Sequence, residues 1–310
     1  MNDVLWVERY RPRTVAECIL PESIKQTFQQ YVDRKEIPNL LLCGTPGVGK
    51  TTIAKALCEE VGCDYLMLNG SDESGIDVFR GKIKNYASTL SFTGERKVII
   101  IDEADYLNPN STQPAMRSAM EEFAHNCTFI LTCNYKNRII EPLQSRCAVV
   151  EFRISKADRP KMAMHFMRRV GTILKENGIG AEDAVVAEVI KKYFPDYRRV
   201  LNELQRYSVS GQIDAGILAL VSDVSISELV KALKEKDFTQ MRKWVAENTH
   251  DSVSVFRNIY NNMYDILDKQ SIPVAVILLA KYQYQAAFVA DQELNLVACL
   301  TEIMCDCQFS

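Results

Sequence analysis

Gly44-Thr45-Pro46-Gly47-Val48-Gly49-Lys50-Thr51 has the residue types and spacing needed to hold a chain of phosphates. It fits G-x-x-x-x-G-K-[ST] at every fixed position. The glycines let backbone N–H groups turn toward phosphate oxygens. A helix opening at Lys50, Thr51 and Thr52 adds the positive end of its dipole. Lys50 is placed to reach the β- and γ-phosphates, and Thr51 to hold Mg²⁺. The motif needs a strand before it and a helix after it, and both patterns are present. Gly47, Val48, Gly49, Lys50, Thr51 and Thr52 are therefore the expected phosphate cradle.

A second constellation lies at Val98-Ile99-Ile100-Ile101-Asp102-Glu103-Ala104-Asp105. Four apolar residues make a buried strand with carboxylates at its C-terminal end, the edge where open parallel sheets bind ligands. Asp102 is expected to fix the magnesium, and Glu103 to act as general base on the attacking water. Asn134 ends the next apolar run, where a polar amide can sense a γ-phosphate or orient water, although such residues also simply form turns. Asn134-Tyr135-Lys136-Asn137 lacks the aspartate of a guanine-reading Asn-Lys-x-Asp pattern. The expected ligands are ATP and Mg²⁺.

These residues need a scaffold, and the chain supplies one. Leu40–Cys43, Tyr65–Asn69, Val98–Asp102, Thr128–Asn134 and Ala148–Phe152 are short and apolar on both faces, as in a buried parallel sheet. Helical spacing fills Thr51–Val61, Ile76–Thr89 and Ser111–Phe123. Strand–helix alternation predicts an α/β P-loop domain with a parallel five-stranded sheet. After about Arg153 no strand pattern recurs. Lys156–Asn177, Ala181–Tyr193 and Tyr197–Ser210 read as helices, the last with Asp196 as N-cap. From Ile226 every segment is helical: Ile226–Lys234, Phe238–Glu247, Val253–Leu267, Val274–Tyr284 and Asp291–Cys307. The stretch from Asp291 to Cys307 is apolar on more than one side, as for a face buried against the rest of the domain or against another chain; Leu296, Val297, Leu300 and Ile303 repeat at helical spacing, and oligomerisation through them is the expectation. The expected domains are 1–153 for the ATPase, 154–223 for a helical lid and 224–310 for a helical collar.

The 310 residues suit two or three domains. A net charge of −3 excludes a basic nucleic-acid coat protein, so any DNA contact must be a local patch. No apolar run approaches the ~20 residues needed to span a bilayer. The first ten residues lack the apolar stretch of a signal peptide, and the expected setting is cytoplasmic. Ten cysteines sit mostly in apolar runs without any C-x-x-C, which fits reduced thiols packed as small hydrophobes better than zinc ligands or disulfides.

The P-loop with Asp102-Glu103-Ala104-Asp105 resembles the AAA+ ATPases. Further stretches narrow the likeness to sliding-clamp loaders. Trp6-Val7-Glu8-Arg9-Tyr10-Arg11-Pro12 looks like the opening motif of replication factor C small subunits. Leu68-Asn69-Gly70-Ser71-Asp72-Glu73-Ser74-Gly75-Ile76 is similar to that family's stretch after the second strand. Pro142-Leu143-Gln144-Ser145-Arg146-Cys147 carries a Ser-Arg-Cys motif, and Phe194-Pro195-Asp196-Tyr197-Arg198-Arg199 a lid-helix motif. Glu17-Cys18-Ile19-Leu20-Pro21 and the C-terminal third lean toward the clamp-loader large subunits of T-even-type bacteriophages.

The resemblance implies roles. Arg146 would be an arginine finger acting in trans on a neighbour's ATP. Arg198 would be a lid sensor contacting the phosphates in cis, with adjacent Arg199 as the alternative. Val7, Glu8, Arg9, Tyr10 and Ile19 would pack around adenine, although Tyr10 also suits a core position. Arg80, Lys82 and Lys84 would track the DNA backbone, with Arg80 and Lys84 sharing a helix face. Gln113 and Arg117 would couple DNA to the ATP site, and Leu90 and Phe92 would anchor a clamp. The implied partners are a sliding clamp, primer–template DNA, and copies of this chain with a distinct loader subunit, a pentamer; no membrane is among them. An AAA+ helicase or helicase-loading factor shares the P-loop and carboxylates. The Ser-Arg-Cys motif and helical C-terminal third separate the two readings.

Overall fold

The computed structural model describes residues 5–72, 76–89, 96–214, 226–248, 252–286 and 288–309. The sequence expectations for Glu73-Ser74-Gly75 and for Leu90 and Phe92, and the expected domain boundary at 223/224, lie outside the described residues. The chain divides into two compact units, Met1–Ala219 and Leu220–Ser310.

The first unit is built on five parallel strands: β1 (Leu40–Cys43), β2 (Tyr65–Asn69), β3 (Lys97–Asp102), β4 (Cys127–Cys133) and β5 (Ala148–Glu151), in the order β2-β3-β4-β1-β5. Alternation assigns each strand residue to a face. Leu40, Leu42, Val98, Ile100 and Ile130 pack with Phe28, Ile53 and Leu57 on one side. Leu41, Ile99, Ile101, Phe129 and Leu131 pack with Phe79, Ile83 and Met116 on the other. A sheet covered on both faces needs strands that are apolar throughout, which is why these runs show no polar alternation. The covering helices are α2 (Glu22–Arg34) and α3 (Lys50–Val61) on the first face, α4 (Ile76–Ala87) and α5 (Thr112–Glu122) on the second. Short α1 (Trp6–Arg9) precedes them, and α6 (Glu141–Gln144) lies before β5.

Three longer helices follow: α7 (Asp158–Glu176), α8 (Asp183–Tyr193) and α9 (Tyr197–Tyr207). Asp196 caps α9, its carboxylate accepting from the Arg199 amide at 2.9 Å. The expectation of no further strand fails here. Gly180–Ala181 and Gln212–Ile213 form a two-stranded parallel pair. Two-residue strands are too short to show any periodicity.

The second unit is helical among its described residues: Ile226–Lys234, Phe238–Asn248, Ser252–Ile266, Ile272–Ala286 and Gln292–Asp306. Leu296, Leu300 and Ile303 are buried within this unit's own core, against residues such as Trp244, Phe256 and Leu279; Val297 packs partly buried beside them. They are not an outward stripe, which corrects the expectation for this helix. Exposed apolar residues of this unit include Tyr264, Ile277, Tyr284 and Phe288, and on the last helix Leu294. No helix among the described residues is long and apolar enough to cross a membrane.

Candidate functional site

Four chain segments converge at the C-terminal edge of the sheet, because parallel strands deliver all their C-terminal ends to one side. The loop after β1 turns through Gly47 (φ +76°) and Gly49 (φ +94°), a conformation that residues with a Cβ seldom adopt. The first helical residue is Lys50. Its ammonium donates to Gly44 O at 2.8 Å, Thr45 O at 2.9 Å and Asn134 Oδ1 at 2.9 Å. Lys50 is buried, and desolvation holds its pKa below the usual lysine value. A negative phosphate brought alongside would favour the charged form again.

Next to it, Thr51 Oγ1 donates to Asp102 Oδ1 at 2.7 Å. A hydroxyl and a carboxylate side by side make the hard oxygen donor pair that suits Mg²⁺, so the residues fit that ion. Thr132, on β4, donates to the same Asp102 Oδ1 at 2.5 Å and accepts from the Glu103 backbone N–H at 3.1 Å. Glu103 has φ +54°, rare for a residue with a side chain, and this hydroxyl helps hold it there. Beyond it, the buried Asp105 carboxylate accepts from the amides of Asn134 and Tyr135 at 3.2 and 3.1 Å, fixing the turn that carries the Asn134 amide.

The opposite wall comes from the N-terminal segment, held by α7 and α9. Arg169 donates to Tyr10 O at 2.8 Å, and Asn177 to the Tyr10 hydroxyl at 2.8 Å. The Tyr197 hydroxyl donates to Ile19 O at 3.1 Å, and the Tyr197 amide to Gly47 O at 3.1 Å. Phe166 packs edge-on against the Tyr197 ring, with centroids 4.7 Å apart.

One cleft gathers Val7, Tyr10, Ile19, Gly47, Val48, Gly49, Lys50, Thr51, Thr52, Asp102, Glu103, Asn134 and Arg198 in its wall. Glu8 and Arg9 are not in that wall. Glu8 pairs with Arg11, and the Arg9 guanidinium lies 5.3 Å from the Tyr10 ring centroid. Of the adjacent lid arginines, Arg198 lines the cleft. Arg199 stacks over Tyr193 at 4.6 Å.

Arg146 lies outside the cleft. Its guanidinium bonds Glu121 (Nε–Oε1 3.0 Å) and the Pro142 carbonyl (2.8 Å). Arg80, Lys82 and Lys84 are exposed on α4, whose Phe79, Ile83 and Ala87 point into the core. Gln113 is fully buried, bridging Leu107 O, Arg138 O and the Ile140 amide. Arg117 lies 4.0 Å from Glu121. Thr132, Arg169, Asn177 and Tyr197 were missed from the sequence. Thr132 is one more β-branched residue in its strand, and the partners of the other three lie more than 150 positions away along the chain.

Comparison with known proteins identifies the family. Residues 40–154 match the family model for ATPases associated with various cellular activities (AAA). Residues 158–219 match the model of the sliding-clamp-loader large subunit, AAA+ ATPase lid domain. The sliding-clamp-loader large subunit of Enterobacteria phage T4 is 38% identical over 307 residues, covering 97% of this chain and 96% of that one. The replication factor C small subunit of Archaeoglobus fulgidus is 33% identical, covering 96% and 97% respectively. Among solved structures, the RuvB Holliday junction branch migration motor of Thermotoga maritima superposes with a TM-score of 0.52 at 20% identity, over 74% of this chain and 79% of that one. That likeness is one of fold alone.

Proposed function

Since the chain belongs to the sliding-clamp-loader family of AAA+ ATPases, we propose that it opens a ring-shaped sliding clamp and sets it on primer–template DNA, with ATP hydrolysis triggering release. It is an ATP hydrolase and a nucleotide-binding protein. In this reading residues 1–153 are the ATPase domain, 154–223 the lid and 224–310 an oligomerising collar.

The observation that carries the reading is the convergence of Lys50, Thr51, Asp102, Glu103 and Asn134 in one cleft, with Arg146 outside it. The amides of Gly47 to Thr52 receive the phosphates, and Lys50 exchanges carbonyl partners for phosphate oxygens. Thr51 and Asp102 would hold Mg²⁺, which would supply charge neutralisation at the phosphates when bound. Glu103 removes the proton from the attacking water, and Asn134 orients it. Arg198 reaches the phosphates from the lid. Val7, Tyr10 and Ile19 present the apolar wall on which adenine packs.

The Ser-Arg-Cys likeness supports Arg146 as a finger serving a γ-phosphate held by another copy, and its place outside its own cleft, paired with Glu121, is compatible with that role. Such a cation is worth ~10³–10⁵ in rate in related NTPases. ATP then sits between subunits, and its hydrolysis loosens the assembly. Arg80, Lys82 and Lys84 face DNA phosphates, a contact without sequence preference. The assembly contains copies of this chain and a distinct loader subunit, as a pentamer.

Steady-state ATP hydrolysis tests this, measured with partner subunits, with and without primer–template DNA and clamp, for the native chain and Arg146→Ala. Synergistic stimulation by DNA and clamp, lost in the variant while ATP binding persists, is expected. Stimulation by DNA with no response to the clamp refutes clamp loading in favour of a helicase-type motor.

A further inference from the structure

Cys43 and Cys133 are the last residues of β1 and β4, and they are direct partners in the parallel register. Their sulfurs lie 3.3 Å apart, the Cys133 thiol donating to Cys43. Both side chains are buried, on the same face of the sheet. Neither thiol has a part in nucleotide chemistry as described above. Their sequence neighbours do. Gly44 follows Cys43 and Asn134 follows Cys133, and both accept hydrogen bonds from the Lys50 ammonium. The Gly44 amide also donates to Cys133 O at 3.2 Å.

We propose that Cys43 and Cys133 form an oxidisable thiol pair whose disulfide disables the phosphate site reversibly. Small oxidants have two approaches. Cys133 lines the nucleotide cleft, and Cys43 lines a separate cavity with Lys136, Arg153 and Arg159. Cys43 is the attacking sulfur. The Cys133 hydrogen bond and, more weakly, the nearby Lys136 charge act to lower its pKa, while Cys133 itself is pushed up.

With hydrogen peroxide as oxidant, the Cys43 thiolate attacks one oxygen. The O–O bond breaks, leaving a sulfenic acid on Cys43 and hydroxide, which takes up the proton Cys43 lost. The Cys133 sulfur then attacks the Cys43 sulfur, the S–O bond breaks, and water leaves with the Cys133 proton. Two thiols and one peroxide give one disulfide and two waters. Closing 3.3 Å to the ~2.05 Å of an S–S bond moves the sulfurs together by about 1.2 Å. That movement is imposed on the two strand ends that hold the Lys50 acceptors. Thiol–disulfide exchange with an added dithiol reverses the bond.

The effect on activity rests on the ATPase reading; the bond itself does not. The test treats the full chain with hydrogen peroxide, alkylates free thiols, digests without reductant and maps linked peptides by mass. Fragment ions must separate Cys133 from Cys127, which shares its peptide. A Cys43–Cys133 link is expected, with ATP hydrolysis reduced roughly 10- to 100-fold by the displaced geometry and restored by dithiothreitol. Cys43→Ala should keep its hydrolysis rate through the same treatment. Absence of the link while exposed Cys305 is oxidised overturns the proposal, as does a Cys43→Ala protein inactivated as fully as the native one. A reduced native chain that hydrolyses no ATP would instead count against the ATPase reading, and the peptide map would still decide the thiol pair.

Discussion

Thr132→Val removes one hydroxyl and leaves the outline of the side chain nearly unchanged. Thr132 is 1% exposed, so its hydrogen-bonding partners are chosen by the fold. Its hydroxyl donates to Asp102 Oδ1 at 2.5 Å and accepts from the Glu103 amide at 3.1 Å. A hydrogen bond to a charged group contributes ~1.5–3 kcal/mol, and a buried N–H left without a partner costs ~1–3 kcal/mol. Asp102 keeps the Thr51 hydroxyl and is only half-buried, so water replaces part of the first contribution. The expected loss is therefore about 2–3 kcal/mol rather than the full sum. Thr132→Ser retains both bonds and loses one methyl, about 0.8 kcal/mol. Urea unfolding of both variants gives the stability difference, and steady-state hydrolysis gives the effect on Glu103. With the backbone at φ +54° released, the valine variant should lose ~10-fold or more in kcat, with a smaller change in KM for ATP. Equal turnover in the valine variant and the native chain, or a serine variant as impaired as valine, would refute this role for the hydroxyl.

Four further substitutions probe other parts of the molecule. A Cβ on Gly70 would stand 2.5 Å from Glu103 O, so Gly70→Ala should cost ~1–3 kcal/mol by overpacking. It should slow hydrolysis more than it weakens nucleotide binding in a fluorescent-analogue titration; equal losses in both would contradict it. In the second unit, exposed Phe288→Asp should shift the assembly to smaller species by light scattering without lowering the melting temperature. Buried Leu300→Ala should instead destabilise by ~2–5 kcal/mol, and a reversal of these effects would restore the outward-facing assignment. Glu302 accepts from the Tyr282 hydroxyl at 2.8 Å and from Lys281, which hold its carboxyl below 4.5. A depressed folded pKa gives stability that is present above 4.5 and lost as pH falls through the lower folded value. Melting temperatures taken from pH 6 downward should therefore fall more steeply in the native chain than in Glu302→Gln, and parallel curves would exclude the linkage.

The phosphate loop and the acidic strand end could be read from sequence because phosphate geometry dictates both residue type and spacing. The three central strands could be read because burial on two faces makes them apolar throughout, and β2 and β5, at the edges and less buried, could be read as short apolar runs beside them. Helix α2 is absent from the expectations although Ile24, Phe28, Tyr31 and Val32 recur at helical spacing and pack on the first core; only Phe28 among them is fully buried, and the strand-like runs around it drew the reading away. Thr132 was hidden because one more β-branched residue in a strand carries no mark of its hydrogen bonds. Arg169, Asn177 and Tyr197 act on Tyr10 and Ile19 across more than 150 positions, a proximity only the folded chain creates. The last helix was misassigned for a related reason. Apolar spacing shows that a face is covered, and Leu296 and Leu300 turned out to be covered by their own unit.

The lid's grip on the N-terminal segment makes nucleotide affinity a gauge of lid position. Tyr10 and Ile19 belong to one end of the domain but are tied to α7, the residue just beyond it, and α9, and the Tyr197 amide also holds Gly47. A small rotation of the lid would loosen the Tyr10–Ile19 side of the cleft and the phosphate loop together. Losing two such bonds at ~0.5–1.5 kcal/mol each would change affinity roughly 5- to 150-fold. Reciprocity then requires that bound nucleotide stiffen the lid by the same free energy. Whatever leans on the outer surface of α7 to α9 would set the residence time of the nucleotide without touching it, so dissociation rate reports mechanical load.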